Sequence, residues 1–134
     1  MSEELPIVLV SGVSGFVGSH VCLAFLKDGG FRVRGTVRDP TNEKKVAPLR
    51  KTFGEYFDKL ELVKADLNDG EAWKTAMKGV TYVAHVASPV PDPKGKQDHE
   101  TIVTPAINGC KFVAEAAALN GVKRIVFCSS LAAI

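Results

Sequence analysis

A glycine-rich turn near the N-terminus constrains the fold of this chain more than any other feature of its sequence. Gly12, Gly15 and Gly18 have the spacing GxxGxxG and directly follow an apolar run at residues 5–10. Residues 16–27, which come next, carry apolar side chains at helical spacing. The segment therefore predicts a strand, a tight turn and a helix, in that order.

Strand and helix patterns alternate along the rest of the chain. The sequence predicts further strands over residues 31–37, 60–64, 80–86 and 124–128, and helices over residues 42–53, 69–78 and 98–120. The strand at 80–86 is almost continuously apolar, which is typical of a parallel sheet covered on both faces. We therefore expect an α/β fold with a three-layer, doubly wound parallel sheet (Rossmann) of about five strands, and one domain over residues 1–134.

The three glycines have separate physical roles in such a turn. The first permits the tight bend, the second lets backbone amides approach a pyrophosphate, and the third lets the helix pack closely on the sheet. The unpaired amides and the dipole at the helix N-terminus favour an anion there. Because the strand before the turn and the helix after it are both visible in the sequence, we interpret the turn as a dinucleotide site.

The end of the second predicted strand bears on the choice between NADP and NAD. An arginine at this place pairs with the 2′-phosphate of NADP, whereas an acid bonds the ribose of NAD. Arg38 has this position and a planar guanidinium that suits a phosphate, and Lys44 and Lys45 follow closely. We favour NADP. Asp39 as a ribose ligand, and Arg38 as a plain surface residue, are the alternatives.

Polar and small residues follow three other strands. Asp66 either accepts a hydrogen bond from an adenine amino group or forms a turn or helix cap. Val86, Ala87 and Ser88 meet the predicted groove at the carboxyl end of a central strand, whereas strand alternation predicts that His85 is packed and not catalytic. Ser129 and Ser130 end the fifth strand, where a hydroxyl can bond a substrate carbonyl or simply terminate the strand.

Composition excludes several classes of function. A net charge of +2 without a long run of like charge argues against a nucleic-acid partner. The apolar segments are broken by glycine or charge, and the acidic N-terminus does not resemble a secretory signal, so we expect a cytoplasmic protein with no membrane partner. The scattered Cys22, Cys110 and Cys128 predict reduced thiols packed as small hydrophobes, and the histidine spacing predicts no metal site.

Taken together, these residues resemble the extended short-chain dehydrogenase/reductases, most closely the dihydroflavonol-reductase-like group that includes the cinnamoyl-CoA reductases. The resemblance is carried, in one-letter code, by SGVSGFVGSH at 11–20, VRDPTN at 37–42, KADL at 64–67, HVASP at 85–89 and VFCSS at 126–130. It extends from the first predicted strand to the last residue.

The resemblance implies NADP(H) as cofactor and hydride transfer to or from a small ketone or aldehyde. It places the pyrophosphate at the glycine turn, the 2′-phosphate at Arg38 and Lys45, and the adenine at Asp66 and Leu67. It places the ribose side at residues 86–88 and makes Ser130 the catalytic serine. The cofactor residues at the turn are Gly12, Gly15, Phe16, Val17 and Gly18. In that chemistry a tyrosine donates the proton, a lysine four residues later lowers the pKa of the tyrosine, and the serine polarises the carbonyl.

This sequence departs from that pattern at the tyrosine–lysine pair. Tyr56 is followed at the fourth position by Leu60 and Tyr82 by Val86, and the pair belongs beyond Ser130, four residues before the last. We therefore expect a truncated product or fragment that does not turn over alone. The alternatives are a catalytically silent dinucleotide-binding or interaction module and, less favoured because of Arg38, an epimerase or dehydratase of the same superfamily.

Truncation after the fifth strand would also leave an apolar edge. Because open sheet edges pair with other chains, we expect a homodimer, a swapped assembly or an aggregation-prone monomer.

Overall fold

The computed structural model describes residues 4–89, 93–95 and 98–134. Five parallel strands form one sheet in the order β3-β2-β1-β4-β5, and helices cover both of its faces. The strands are β1 (Ile7–Val10), β2 (Arg32–Val37), β3 (Leu60–Lys64), β4 (Val80–His85) and β5 (Arg124–Phe127). The α-helices are α1 (Phe16–Asp28), α2 (Glu43–Phe53), α3 (Gly70–Ala76) and α4 (Thr104–Leu119). The predicted fold class is confirmed.

Two hydrophobic clusters lie on opposite faces of the sheet. Successive side chains of β1 alternate between them, as the pleat of a strand requires. Val8 and Val10 join the cluster that packs against α1 and α2, whereas Leu9 joins the cluster formed with α3 and α4. The central strand therefore connects both cores, and the two helix layers are held in register through it.

The last long helix differs from the predicted continuous helix over residues 98–120. It starts with a π-helical turn, His99–Val103, and becomes α-helical only at α4. The Asp98 carboxylate accepts the Thr101 amide at 2.9 Å, and the Thr101 hydroxyl accepts the Asp98 amide at 3.1 Å. This reciprocal cap fixes where the helix begins. The sequence pattern also missed a 3₁₀ helix, Gly54–Lys59. Its first residue, Gly54, has a positive φ of 52°.

The same helix bears on the expectation that no segment is long and apolar enough to cross a membrane. By length and composition alone, His99–Leu119 reaches that threshold. A single such helix is weak evidence for a span, because core helices of folded domains pass the same test. Here Val113 and Ala116 pack into the core cluster beside Trp73.

Only one of the three cysteines is a core residue. Cys22 is fully buried in the cluster with α1 and α2, and burial raises the pKa of its thiol to about 12. Cys110 and Cys128 are exposed free thiols, so the prediction that each cysteine packs as a small hydrophobe is wrong for these two. Cys110 lies on the solvent side of α4, and Cys128 follows the edge strand.

The glycine turn and the start of α1 are in very close contact. Gly12 has a positive φ of 69°, and a Cβ on Gly18 would lie 2.0 Å from the carbonyl oxygen of Gly12. Helix α1 can therefore reach its position against the turn only because Gly18 lacks a side chain. This is the packing role expected of the third glycine.

The two edges of the sheet differ in polarity. At β3, Glu61 forms an ion pair with Arg34 at 2.9 Å, and Lys64 is exposed. At β5, Val126 is 62% exposed and Phe127 is 44% exposed. The β5 edge is thus the one that retains an unprotected apolar surface.

We expect Gly18→Ala to destabilise the fold by about 1–3 kcal/mol, because the added methyl group meets backbone and not a flexible side chain. Urea unfolding measures the change. Gly15→Ala is the matched control, since a Cβ there would lie 3.4 Å from the nearest atom outside the adjacent residues, the carbonyl oxygen of Gly12. Equal stabilities of the two variants would contradict the packing argument.

We expect the 134-residue chain to associate through β5 at concentrations on the order of tens of micromolar. Val126→Lys places a charge on the exposed apolar edge and should shift the population towards monomer. Light scattering of both proteins measures the effect. A monodisperse wild-type monomer over this range would show that the edge does not drive association.

Candidate functional site

A cleft of about 790 Å³ opens at the carboxyl ends of the strands. The chain runs from β1 outward to β2 and β3 and then returns to β4 on the other side of β1. Doubly wound sheets bind ligands at such a change of direction, because the loops on either side of it diverge. The predicted cofactor residues that line the cleft are Gly12, Gly15, Phe16, Val17, Gly18, Arg38, Asp66, Leu67, Val86, Ala87 and Ser88.

Two predicted site residues, Lys45 and Ser130, do not line the cleft. Lys45 is exposed in the first turn of α2, and Ser130 is exposed beyond the end of β5. Cys128, two residues before Ser130, does line the cleft. The end of β5 therefore reaches the site, although the predicted serine itself is not part of its wall.

The N-terminus of α1 is arranged to receive an anion. Gly15 is its N-cap, no side chain caps the helix, and its first turn contains no acidic residue. The amides of Phe16, Val17 and Gly18 have no acceptor within the helix, as at every α-helix N-terminus. These amides and the helix dipole lie at the floor of the cleft and favour negative charge there.

The arginine after β2 lines the cleft, and the neighbouring acid does not. Within the described part of the chain, Arg38 has no hydrogen bond or ion pair, and it lines the cleft. Asp39 instead accepts the amide of Thr41 at 2.9 Å and its hydroxyl at 2.6 Å. These bonds lower the pKa of Asp39. Its carboxylate thus closes a local turn, and Asp39 is not among the residues that line the cleft.

Asp66 forms a turn, which is one of the roles that its sequence position left open, and it also lies at the cleft. One oxygen of its carboxylate, Oδ1, accepts the Asn68 amide at 2.9 Å and forms a turn, while the residue lines the cleft. The cap of α3 is a different residue, Asp69, which accepts the Ala72 amide at 3.1 Å. The Asp66 carboxylate therefore stays at the cleft and is not used to start a helix.

A buried hydroxyl that the sequence analysis missed connects β1 to the loop after β4. Ser11 Oγ accepts the amides of Val86 and Ala87 at 2.8 and 2.9 Å and lies 2.9 Å from His85 Nδ1. On the other side of β1, Thr36 Oγ1 accepts the Gly12 amide at 3.2 Å. Position at the end of a buried strand is the only sequence signal for Ser11, because its partners are more than 70 residues away.

His85 is packed beneath the cleft, as strand alternation predicted. It is 4% exposed and has Trp73 and Phe127 in edge-to-face contact, with ring centroids 5.9 and 5.7 Å away. Burial among these rings lowers the pKa of the imidazole to about 4. The ring is therefore neutral over the physiological pH range.

The buried imidazole makes folding stability depend on pH. Because its pKa falls from 6.5 in the unfolded chain to about 4 in the fold, the unfolded chain binds an extra proton between these values. His85 should not reduce the free energy of unfolding above pH 6.5. As the pH decreases from there to 4, the free energy of unfolding should fall by about 3 kcal/mol.

Urea unfolding of wild type and His85→Phe at several pH values isolates this effect, because carboxylates such as Asp39 titrate in both proteins. The variant should lack the His85 contribution. Identical pH profiles for the two proteins would show that His85 is not held neutral.

The comparisons with known proteins agree with this geometry. The model of the NAD dependent epimerase/dehydratase family matches residues 8–134. Cinnamoyl-CoA reductase 1 of Arabidopsis thaliana is 44% identical over 95% of this chain and 35% of its own length. Dihydroflavonol 4-reductase of Hordeum vulgare is 38% identical over 95% of this chain and 35% of its own length.

Solved structures show the same relationship. Yeast methylglyoxal/isovaleraldehyde reductase Gre2, complexed with NADPH, superposes with a TM-score of 0.78 and 26% identity over 96% of this chain and 38% of its own. Vestitone reductase from alfalfa superposes with a TM-score of 0.73 and 26% identity over 96% of this chain and 37% of its own. The chain spans little more than a third of the length of these relatives. It belongs to the NAD dependent epimerase/dehydratase family, and its resemblance to the dihydroflavonol and cinnamoyl-CoA reductases among the extended short-chain dehydrogenase/reductases is confirmed over nearly its whole length.

Proposed function

We propose that this chain is the NADP(H)-binding domain of a carbonyl reductase whose intact form transfers hydride between NADPH and a ketone or aldehyde. The observation that carries the proposal is the cleft itself, in which an acid-free helix N-terminus and Arg38, which has no partner among the described residues, face one groove. The similar reductases, among them one complexed with NADPH, support the same cofactor.

The residues of the cleft fit a dinucleotide along its length. The amides at the start of α1 would hold the pyrophosphate, and the missing side chain of Gly15 leaves room for its approach. Arg38 would pair with the 2′-phosphate, with Lys45 contributing charge from outside the wall. The carboxylate of Asp66 and the backbone of Leu67 would meet the adenine, and residues 86–88 the ribose on the nicotinamide side.

Bound NADPH would supply the hydride, and the side chains of this chain would orient the cofactor and the carbonyl. On this proposal the Ser130 hydroxyl donates a hydrogen bond to the carbonyl oxygen and polarises it. Neither tyrosine has a lysine at the fourth following position, so the proton donor of the related enzymes has no counterpart here. We therefore expect NADPH binding by this chain without turnover.

A catalytically silent dinucleotide-binding or interaction module is the second candidate function. The apolar β5 edge favours it, since an exposed strand edge can pair with another chain, whereas a Tyr-x-x-x-Lys motif would favour the reductase. Both candidates predict cofactor binding, and a longer reading frame with the motif downstream distinguishes them. An NAD-dependent epimerase or dehydratase is less well supported, because Arg38 in the cleft favours a 2′-phosphate.

We propose a cytoplasmic protein whose partners are a dinucleotide and, in the intact form, a small carbonyl compound, with neither nucleic acid nor membrane as partner. The scattered thiols and a net charge of +2 support this assignment.

Titration with NADPH and NADH tests the cofactor assignment directly. Trp73 is the single tryptophan and lines the cleft, so its fluorescence reports binding alongside calorimetry. Wild type should bind NADPH at least about tenfold more tightly than NADH, and Arg38→Ala should weaken NADPH binding by about 10–100-fold with little effect on NADH, because a charge-assisted pair is lost. Lys45→Ala should have a smaller effect of the same sign.

The matched control is Arg32→Ala, at the opposite end of β2 from Arg38, where the side chain is also exposed. It should leave both affinities unchanged. Equal affinities of wild type for the two cofactors would exclude the 2′-phosphate role of Arg38, and no binding of either would exclude the proposed function for this chain.

A further inference from the structure

The hydroxyl of Ser11 has a complete set of hydrogen bonds. A serine hydroxyl has two lone pairs and one proton. The amides of Val86 and Ala87 can only donate, so their bonds at 2.8 and 2.9 Å occupy both lone pairs. The third contact, 2.9 Å to His85 Nδ1, must then be made by the hydroxyl proton. His85 accepts at Nδ1, and the proton of its neutral ring lies on Nε2.

The surroundings of His85 hold the ring in this state. Trp73 from α3 and Phe127 from β5 stand nearly perpendicular to the imidazole, at 84° and 81°. They restrict rotation of the ring and exclude water from it. Ser11 is fully buried, so no solvent replaces the acceptor if the imidazole is removed.

The bonds from Ser11 determine where the loop after β4 lies relative to the glycine turn. A Cβ on Gly12 would lie 3.1 Å from the Cα and Cβ of Ala87, so the space between the turn and the loop is too small even for a methyl group. A loop freed from the hydroxyl cannot move towards the turn and would move away from it. Such a movement widens the cleft on the side formed by residues 86–88.

We infer that His85 is a positioning residue for the dinucleotide: by accepting a hydrogen bond from the Ser11 hydroxyl, it orients the hydroxyl whose lone pairs hold the cleft wall at Val86 and Ala87. The inference rests on the proposed function, since the wall is proposed to meet the cofactor. It assigns His85 no contact with cofactor or substrate. An aromatic core residue of similar size would fill the same space but could not accept a hydrogen bond from Ser11.

Nitrogen-15 NMR of the imidazole in wild type tests the first step without any ligand. We expect Nδ1 to resonate as an unprotonated, hydrogen-bonded nitrogen and Nε2 as a protonated one. A proton on Nδ1 would overturn the inference, because Ser11 could not then donate to it. This measurement needs no variant and does not depend on NADPH binding.

Three variants and one double variant test the second step. His85→Phe keeps an aromatic ring without an acceptor, and His85→Asn keeps an acceptor oxygen near Nδ1. We expect His85→Phe and Ser11→Ala each to weaken NADPH binding by about tenfold. The double variant Ser11→Ala/His85→Phe should bind NADPH no more weakly than either single variant. His85→Asn should bind NADPH within about threefold of wild type. Equal affinities of the Phe and Asn variants, or additive losses in the double variant, would overturn the inference.

Amide hydrogen exchange separates this inference from the proposed function. At Val86 and Ala87, exchange should be faster in Ser11→Ala and His85→Phe than in His85→Asn, whether or not NADPH binds. If wild type binds no dinucleotide but exchange follows this order, the proposed function fails and the role of His85 in holding the wall stands. If exchange at both amides is unchanged in His85→Phe, the positioning role is wrong.

Discussion

The carboxyl end of β1 is hydrogen-bonded on both sides, and the cleft depends on this junction. Towards β4, the Ser11 amide donates to the Ala84 carbonyl at 3.0 Å, and the Ser11 hydroxyl holds the following loop. Towards β2, the amides of Gly12 and Val13 donate to the side chain and carbonyl of Thr36 at 3.2 and 3.3 Å. The glycine turn therefore projects from a point whose neighbours are fixed, and α1 begins at a defined place over the cleft.

Most of the fold follows from local patterns, whereas the connections at the cleft do not. Apolar periodicity and the glycine spacing predict the strands, the helices and their parallel order, because these depend on residues close in sequence. The bond between Ser11 and His85 joins residues 74 positions apart and has no local signal. The same limit applies to Cys110 and Cys128, since their exposure depends on which surfaces other elements cover. For Asp66 and Asp69, a difference of three positions in one turn separates a cleft residue from a helix cap, and propensity favours both equally.

Arg34 within β2 and Arg38 just after it differ in what their side chains contact. The Arg34 side chain lies beside the sheet, where its guanidinium donates to the carbonyls of Ala76 and Lys78 at the end of α3 and to Glu61. Positive charge at a helix C-terminus is favourable, so Arg34 stabilises the packing of α3 against β2 and β3. Arg38, four residues later, lies past the end of the strand and makes no such contact in the described residues. Packing contacts thus lie where the strands run, and the residues that line the cleft lie where the strands end.

The unequal edges of the sheet also have a consequence for symmetry. Pairing of β5 with β5 of a second copy uses the same surface on both molecules and is closed by a twofold axis. Pairing of β5 with β3 would use two different surfaces and would repeat without limit, but it would have to bring Glu61 and Lys64 against an apolar strand. Desolvation of these charges disfavours the open arrangement. If copies of the chain associate through this sheet as predicted, the charged β3 edge therefore favours a closed pair over a filament.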